Sequence, residues 1–200
     1  MLYAHNISLY PNAYIAHINL GNEYRNKKQY EQALQYYNQA LNINPSASKA
    51  YYNQALTYQE IGHIDAAIEA YTNAILYDDK YALAMVNIGK IYADREEDVL
   101  AEELYVQAIK ADPSYALAYY NLGVLYVKYD KYQEALQQFR LAIERAPYHV
   151  SSHVNLIWSL LALELLEEAL MELNNAIRRF PEEKRLQDIL HTLQSRGIVQ

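Results

Sequence analysis

Residues 116–149 read ALAYYNLGVLYVKYDKYQEALQQFRLAIERAPYH, and this stretch decides the fold. Tyr119, Leu122, Gly123 and Tyr126 fall at i, i+3, i+4 and i+7, one face of a helix. Asp130-Lys131 marks a turn. Ala135, Phe139 and Ala142 then form the stripe of a second helix, and Pro147 punctuates its exit.

The same unit recurs with a 34-residue period. Pro11, Pro45, Pro113, Pro147 and Pro181 share one comb, whose vacant tooth is Asp79. Ala33, Ala67, Ala101, Ala135 and Ala169 form a second comb, and Ala40, Ala74, Ala108, Ala142 and Ala176 a third. Five copies follow: 14–47, 48–81, 82–115, 116–149 and 150–183. Such a period belongs to an α-solenoid of stacked helix pairs, in which one copy cannot bury its apolar face alone. The reading is a single elongated domain without an internal boundary.

The pattern resembles the tetratricopeptide repeat, W-x2-L-G-x2-Y followed by A-x3-F-x2-A-x4-P. Repeat four matches as Tyr119, Leu122, Gly123, Tyr126, Ala135, Phe139, Ala142 and Pro147. Repeat one supplies Leu20, Gly21, Tyr24, Ala33, Tyr37, Ala40 and Pro45; repeat three supplies Ile88, Gly89, Tyr92, Ala101, Tyr105, Ala108 and Pro113. Repeat two departs at Gln54, Ala55 and Asp79, repeat five at Ile157, Leu160 and Leu173. The resemblance implies an all-α, right-handed superhelix of antiparallel helix pairs. Small residues at the crossings let helices approach closely while large ones fill the grooves.

Composition narrows the function. The chain carries a net charge of −7 and no cysteine. A nucleic-acid surface would be basic, since phosphate contacts supply non-specific affinity, so that class is disfavoured. Disulfides and thiolate metal sites are excluded. No apolar run approaches the roughly 18 residues of a membrane span, and residues 1–11 lack the pattern of a signal peptide. The compartment stays open, with the cytoplasm as default. The 22 tyrosines against 2 phenylalanines point to packed rings whose hydroxyls reach polar partners.

Residues 6–11 align with 40–45, the end of a second helix, so residues 1–13 read as the tail of a preceding repeat, either a worn N-terminal cap or, the favoured reading, the start of a piece of a longer protein. Asp78-Asp79 replaces the usual Asp-Pro exit and predicts a less rigid corner. Arg95 to Asp98 is the most irregular turn; with Glu102 and Glu103 it forms an acidic, solvated corner. In 184–200, Leu186, Ile189, Leu190 and Leu193 make one stripe opposite polar residues, the pattern of a capping helix that Gly197 stops.

On a wheel of about 100° per residue, positions 4, 7, 8 and 11 of each first helix face the core. Positions 2, 5, 6, 9, 12 and 13 point the other way, the face that the resemblance assigns to a concave ligand groove. Position 6 is asparagine in every copy: Asn19, Asn53, Asn87, Asn121 and Asn155. A carboxamide can grip a peptide N–H and C=O together. The ladder is similar to that of the O-linked N-acetylglucosamine transferase superhelix, where asparagines hold peptide backbones. Asparagine is also common here in repeats with no known peptide, so a structural role stays open. Around the ladder lie Tyr52, Val86, Lys90, Tyr120, Val124 and Trp158, with Ile15, Ile18, Leu83, Leu117, Val127 and Val154. Helices apolar on two sides imply a second buried surface or an exposed interaction patch. The rival explanation is that superhelical curvature or the capping helix covers some of these residues, Trp158 before the others; the groove reading stays ahead. A carboxylate clamp of the chaperone kind is rejected, because Ile18, Leu83 and Asn87 stand where that pattern needs Lys or Arg.

Nothing signals catalysis, a cofactor or a metal. The glycines are isolated, and no H-E-x-x-H occurs. His149 and His153 are four apart, but His153 takes a core position, so packing outweighs ligation. The reading is a non-enzymatic scaffold binding an extended or helical peptide segment of a partner protein. Two alternatives stand beside it: a spacer or homo-oligomerising element, and the substrate-recruiting part of a larger protein, membrane-anchored or glycosyltransferase-like.

Overall fold

A computed structural model describes residues 13–198 of the 200-residue chain. Among the described residues every regular element is an α-helix. They run α1 (Ala13–Asn26), α2 (Tyr30–Ile43), α3 (Ser48–Glu60), α4 (Ile64–Tyr77), α5 (Ala82–Asp94), α6 (Asp98–Ala111), α7 (Ala116–Lys128), α8 (Tyr132–Arg145), α9 (Val150–Ala162), α10 (Leu166–Arg179) and α11 (Lys184–Ser195). The fold is an α-solenoid of helix pairs. The expectation for residues 1–13 concerns a stretch that, Ala13 apart, lies outside the described residues.

Where the sequence reads as unbroken, the helices group into two compact units, residues 1–95 and 96–200. The division falls inside repeat three, with α5 in the first unit and α6 in the second. Repeats touch only their neighbours, so a boundary can fall at any turn. In the first unit α1 packs on α2, α2 on α3, α3 on α4 and α4 on α5. In the second, α7 packs on α8, α8 on α9, α9 on α10, and α11 closes the end against α10.

The alanine combs are the crossing points. Ala33, Ala40, Ala67, Ala74, Ala135, Ala142 and Ala169 are wholly buried. Each second helix adds one large buried side chain at its centre: Tyr37, Tyr71, Tyr105, Phe139 and Leu173. Opposite them the first helix keeps little bulk. A Cβ built on Gly123 would come 2.6 Å from Phe139 Cε1, and one on Gly21 would strike the ring of Tyr37. Repeat five exchanges the sizes: Ile157 replaces the glycine, and the smaller Leu173 replaces the aromatic ring. The odd residues of that repeat are therefore one compensated change.

The turns share a device that sequence reading missed. The fifteenth residue of each repeat has positive φ: Lys28, Gly62, Glu96, Asp130 and Glu164. Only repeat two fills this left-handed position with glycine, the residue that adopts it without strain. At the repeat exits the Asn44, Asp78 and Asp112 side chains accept from the backbone N–H groups of Ser46, Lys80 and Ser114. These Asx turns close the corner, including the one without proline.

The tyrosines behave as their number suggests. Tyr37 donates to Asn22 Oδ1 at 2.9 Å, Tyr71 to Gln59 Oε1 at 2.9 Å and Tyr126 to Glu102 Oε1 at 3.0 Å. Burial first, then the Glu102 acceptor, pushes the Tyr126 hydroxyl up to about 12. The capping helix α11 buries Leu186, Ile189 and Leu193 against Val154, Ile157 and Leu173.

Candidate functional site

The asparagine ladder occupies one face of the first helices, and each unit shows its own part of it. In the first unit Asn19 is exposed, while Asn53 and Asn87 are half-buried. In the second, Asn121 and Asn155 are half-buried. Asn87 Nδ2 donates to Tyr52 Oη at 3.3 Å, and Asn155 Nδ2 donates to Tyr120 Oη at 3.4 Å. Asn121 turns back on its own helix and donates to the Leu117 carbonyl at 2.7 Å.

Position 5 departs from the expected open groove. Val86 is buried, 2 % exposed, and Ile18 and Val154 are buried with it. Ile18 packs on Ala40, Ala47 and Ala50, and Val154 on the cluster with Leu186. The second apolar side of these helices thus serves inter-repeat packing at this position rather than a ligand. Tyr52 and Tyr120 hold the same position and are half-buried. Tyr52 packs on Tyr71 and Tyr81, Tyr120 on Phe139 and His149, and both turn their hydroxyls to the next asparagine.

Positions 2 and 9 are the more open ones, with Asn22, Leu56 and Ser151 half-buried there. Ile15, Leu83, Leu117, Val124 and Trp158 are 37–49 % exposed, and Lys90 is exposed as well. Trp158 stays 49 % exposed, so the capping helix does not cover it, although α11 packs on Val154 and Ile157 of the same helix.

Each unit has a cleft on this face. In the first, a space of about 380 Å³ is lined by Ile15, Asn19, Asn22, Asn44, Lys49 and Asn53, an amide-rich wall with one cation. In the second, about 370 Å³ is bounded by Val124, Val127, Tyr132, Asn155, Trp158 and Ala162. Deeper in the first unit, Arg25 Nε lies 3.9 Å from Glu60, and its Nη1 is buried without a partner.

The two histidines singled out from sequence have packing roles. His149 Nδ1 lies 2.7 Å from Ser152 Oγ; His153 bridges the Glu172 carboxylate at 2.8 Å and the Pro147 carbonyl at 3.0 Å. Among the described residues no group of three or more His, Cys, Asp or Glu is placed to hold a metal. No helix among them is long and apolar enough to cross a membrane.

Known families match along most of the described residues. Models described as tetratricopeptide repeat match residues 14–47 and 116–149, and another matches 52–113; one described as TPR repeat matches 100–130. The chain belongs to the tetratricopeptide repeat family. Proteins of this family bind partner proteins or peptides and are typically non-catalytic. No curated protein matches the sequence. Solved tetratricopeptide structures share the fold at low identity. A crystal structure of the MamA protein is 21 % identical with a TM-score of 0.69, over 88 % of this chain and 96 % of that one. PilF of Pseudomonas aeruginosa is 19 % identical with a TM-score of 0.73, over 92 % of each chain. YrrB, described as a TPR protein with an unusual peptide-binding site, is 22 % identical with a TM-score of 0.68, over 96 % and 98 %.

Proposed function

We propose that this tetratricopeptide repeat chain is a protein-interaction module that holds an extended or helical segment of a partner polypeptide on its first-helix face. The ladder of Asn19, Asn53, Asn87, Asn121 and Asn155 meets the segment's backbone, and the open apolar residues beside it take side chains. One observation carries the reading. Ile15, Leu83, Leu117, Val124 and Trp158 remain 37–49 % exposed, whereas Ala55, Met85, Ile88, Tyr119, Leu122 and Ile157 on the core side of the first helices are buried. Exposed apolar residues beside rows of amides suit a polypeptide, which offers alternating polar backbone and apolar side chains. The net charge of −7 disfavours a polyphosphate ligand.

The test is selection of peptides from a random display library on the wild-type protein. Their affinities are then compared with those for the Asn87→Ala, Asn121→Ala double variant. Binding weakened about tenfold or more, with unchanged helicity and melting, supports the ladder's role; each lost backbone hydrogen bond is worth about 1 kcal/mol. Unchanged affinity removes the ladder from the site. A large fall in melting temperature makes it structural.

A further inference from the structure

We propose that the second unit's cleft is a specificity pocket for a large, uncharged apolar side chain, aromatic or leucine-like, carried on the partner polypeptide. This rests on the peptide-binding reading above. The first argument is charge. None of the side chains lining the cleft is ionised, although the chain as a whole carries −7. The charged groups nearest in sequence are engaged: Lys128 by Asp98 Oδ2 at 2.5 Å, Lys131 over the Tyr126 ring, and Asp130 as acceptor for Tyr132. A charged ligand group entering here would leave water and meet no ionised group in the lining itself, the bordering ones being already engaged within the protein, so the cleft selects against it.

The second argument is hydrogen-bonding capacity. Ser159 donates its hydroxyl to the Asn155 carbonyl at 2.8 Å, and Tyr132 donates to Asp130 at 2.7 Å. One N–H of the Asn155 carboxamide goes to Tyr120. The hydroxyls at the cleft are thus committed within the protein, leaving Asn155 Oδ1, its second N–H and the Trp158 indole N–H for a ligand. That remainder fits one backbone amide of the segment, and the rest of the wall is Val124, Val127, Trp158 and Ala162.

Size agrees. The volume of about 370 Å³ corresponds to roughly a dozen waters, which an apolar side chain with its flanking backbone would release. The first unit's cleft, of similar volume but walled by amides and Lys49, does not share this chemistry.

Trp158 is the only tryptophan, so its emission reports on this cleft alone. The experiment titrates the whole chain with capped nonapeptides of Gly and Ser carrying Phe, Leu, Ala, Lys or Glu at the centre. Expected is a saturable blue shift of Trp158 with Phe and Leu, at least roughly tenfold tighter than with Ala, and none with Lys or Glu. Val124→Lys should abolish the shift while leaving the far-ultraviolet circular dichroism unchanged. An equal response to Glu or Lys peptides, or full binding by a folded Val124→Lys variant, overturns the proposal. So does a Trp158 shift that depends on protein concentration without peptide, which would seat a second copy there. Library-selected peptides that bind the protein without perturbing Trp158 would leave the interaction-module reading standing and defeat the pocket alone.

Discussion

The ring of Phe139 lies where a side chain on Gly123 would have to be, with only 2.6 Å between a Cβ built there and Cε1. The ring is wholly buried, so it cannot swing aside without displacing its neighbours. Gly123→Ala gains about 1 kcal/mol of helix propensity and meets an overpacking penalty of about 1–3 kcal/mol. The penalty wins. A net loss of up to roughly 2 kcal/mol is expected in urea denaturation. Adding Phe139→Leu should recover part of it, since Ile157 and Leu173 already pair that way in repeat five.

The left-handed turn residues yield gains instead of losses. Lys28 and Glu164 hold φ near 60°, where an L side chain is strained by about 1–2 kcal/mol. Glu164→Gly should stabilise by about 1 kcal/mol, after subtraction of the extra freedom glycine has when unfolded. Lys28→Gly should behave alike. Gly62→Ala, at φ 82° in open space, should lose a similar amount. Denaturant midpoints of the three variants check all of this.

Asp98 gives the second unit an acid-sensitive contact. Hydrogen bonds from Lys128 and Tyr129 hold its carboxyl below the ordinary 3.8. A carboxylate lowered in the folded state adds stability above its unfolded value and loses it as pH falls through the folded one. Asp98→Asn should therefore melt lower than wild type at pH 7. The gap should close as pH falls below the ordinary 3.8 and on through the lowered folded-state value. The same contact raises Lys128 above 10.5 and Tyr129 above 10.0, so its contribution also fades as pH climbs past those values.

Val86 and Leu83 lie three residues apart on α5 and should answer truncation differently. Val86→Ala empties a site that is 2 % exposed and should destabilise by roughly 1–3 kcal/mol. Leu83→Ala removes a side chain that is 40 % exposed and should stay within about 0.5 kcal/mol. Thermal melts of the two single variants separate the packing row from the open row.

That contrast marks where sequence reading stopped. The proline and alanine combs carry the helix pairs and their crossings, because period and small size have only one packing solution. The apolar second side of the first helices does not carry its own explanation. Burial by the neighbouring repeat and burial by a ligand demand the same residue types, so Val86 and Val124 look alike in sequence. Trp158, a groove candidate that a capping helix close to it in sequence could have hidden, is 49 % exposed, and only coordinates separate the two outcomes. The left-handed turns were hidden because lysine, glutamate and aspartate stand where only repeat two has glycine. The pairing of tyrosine with asparagine needed coordinates, since the partners are 35 residues apart.

That spacing bears on how the protein is made. Tyr52 can find Asn87, and Tyr120 can find Asn155, as soon as one further first helix has left the ribosome. No bond of this row waits for a distant part of the chain. Assembly can therefore keep pace with synthesis, each newly emerged helix completing the one before it.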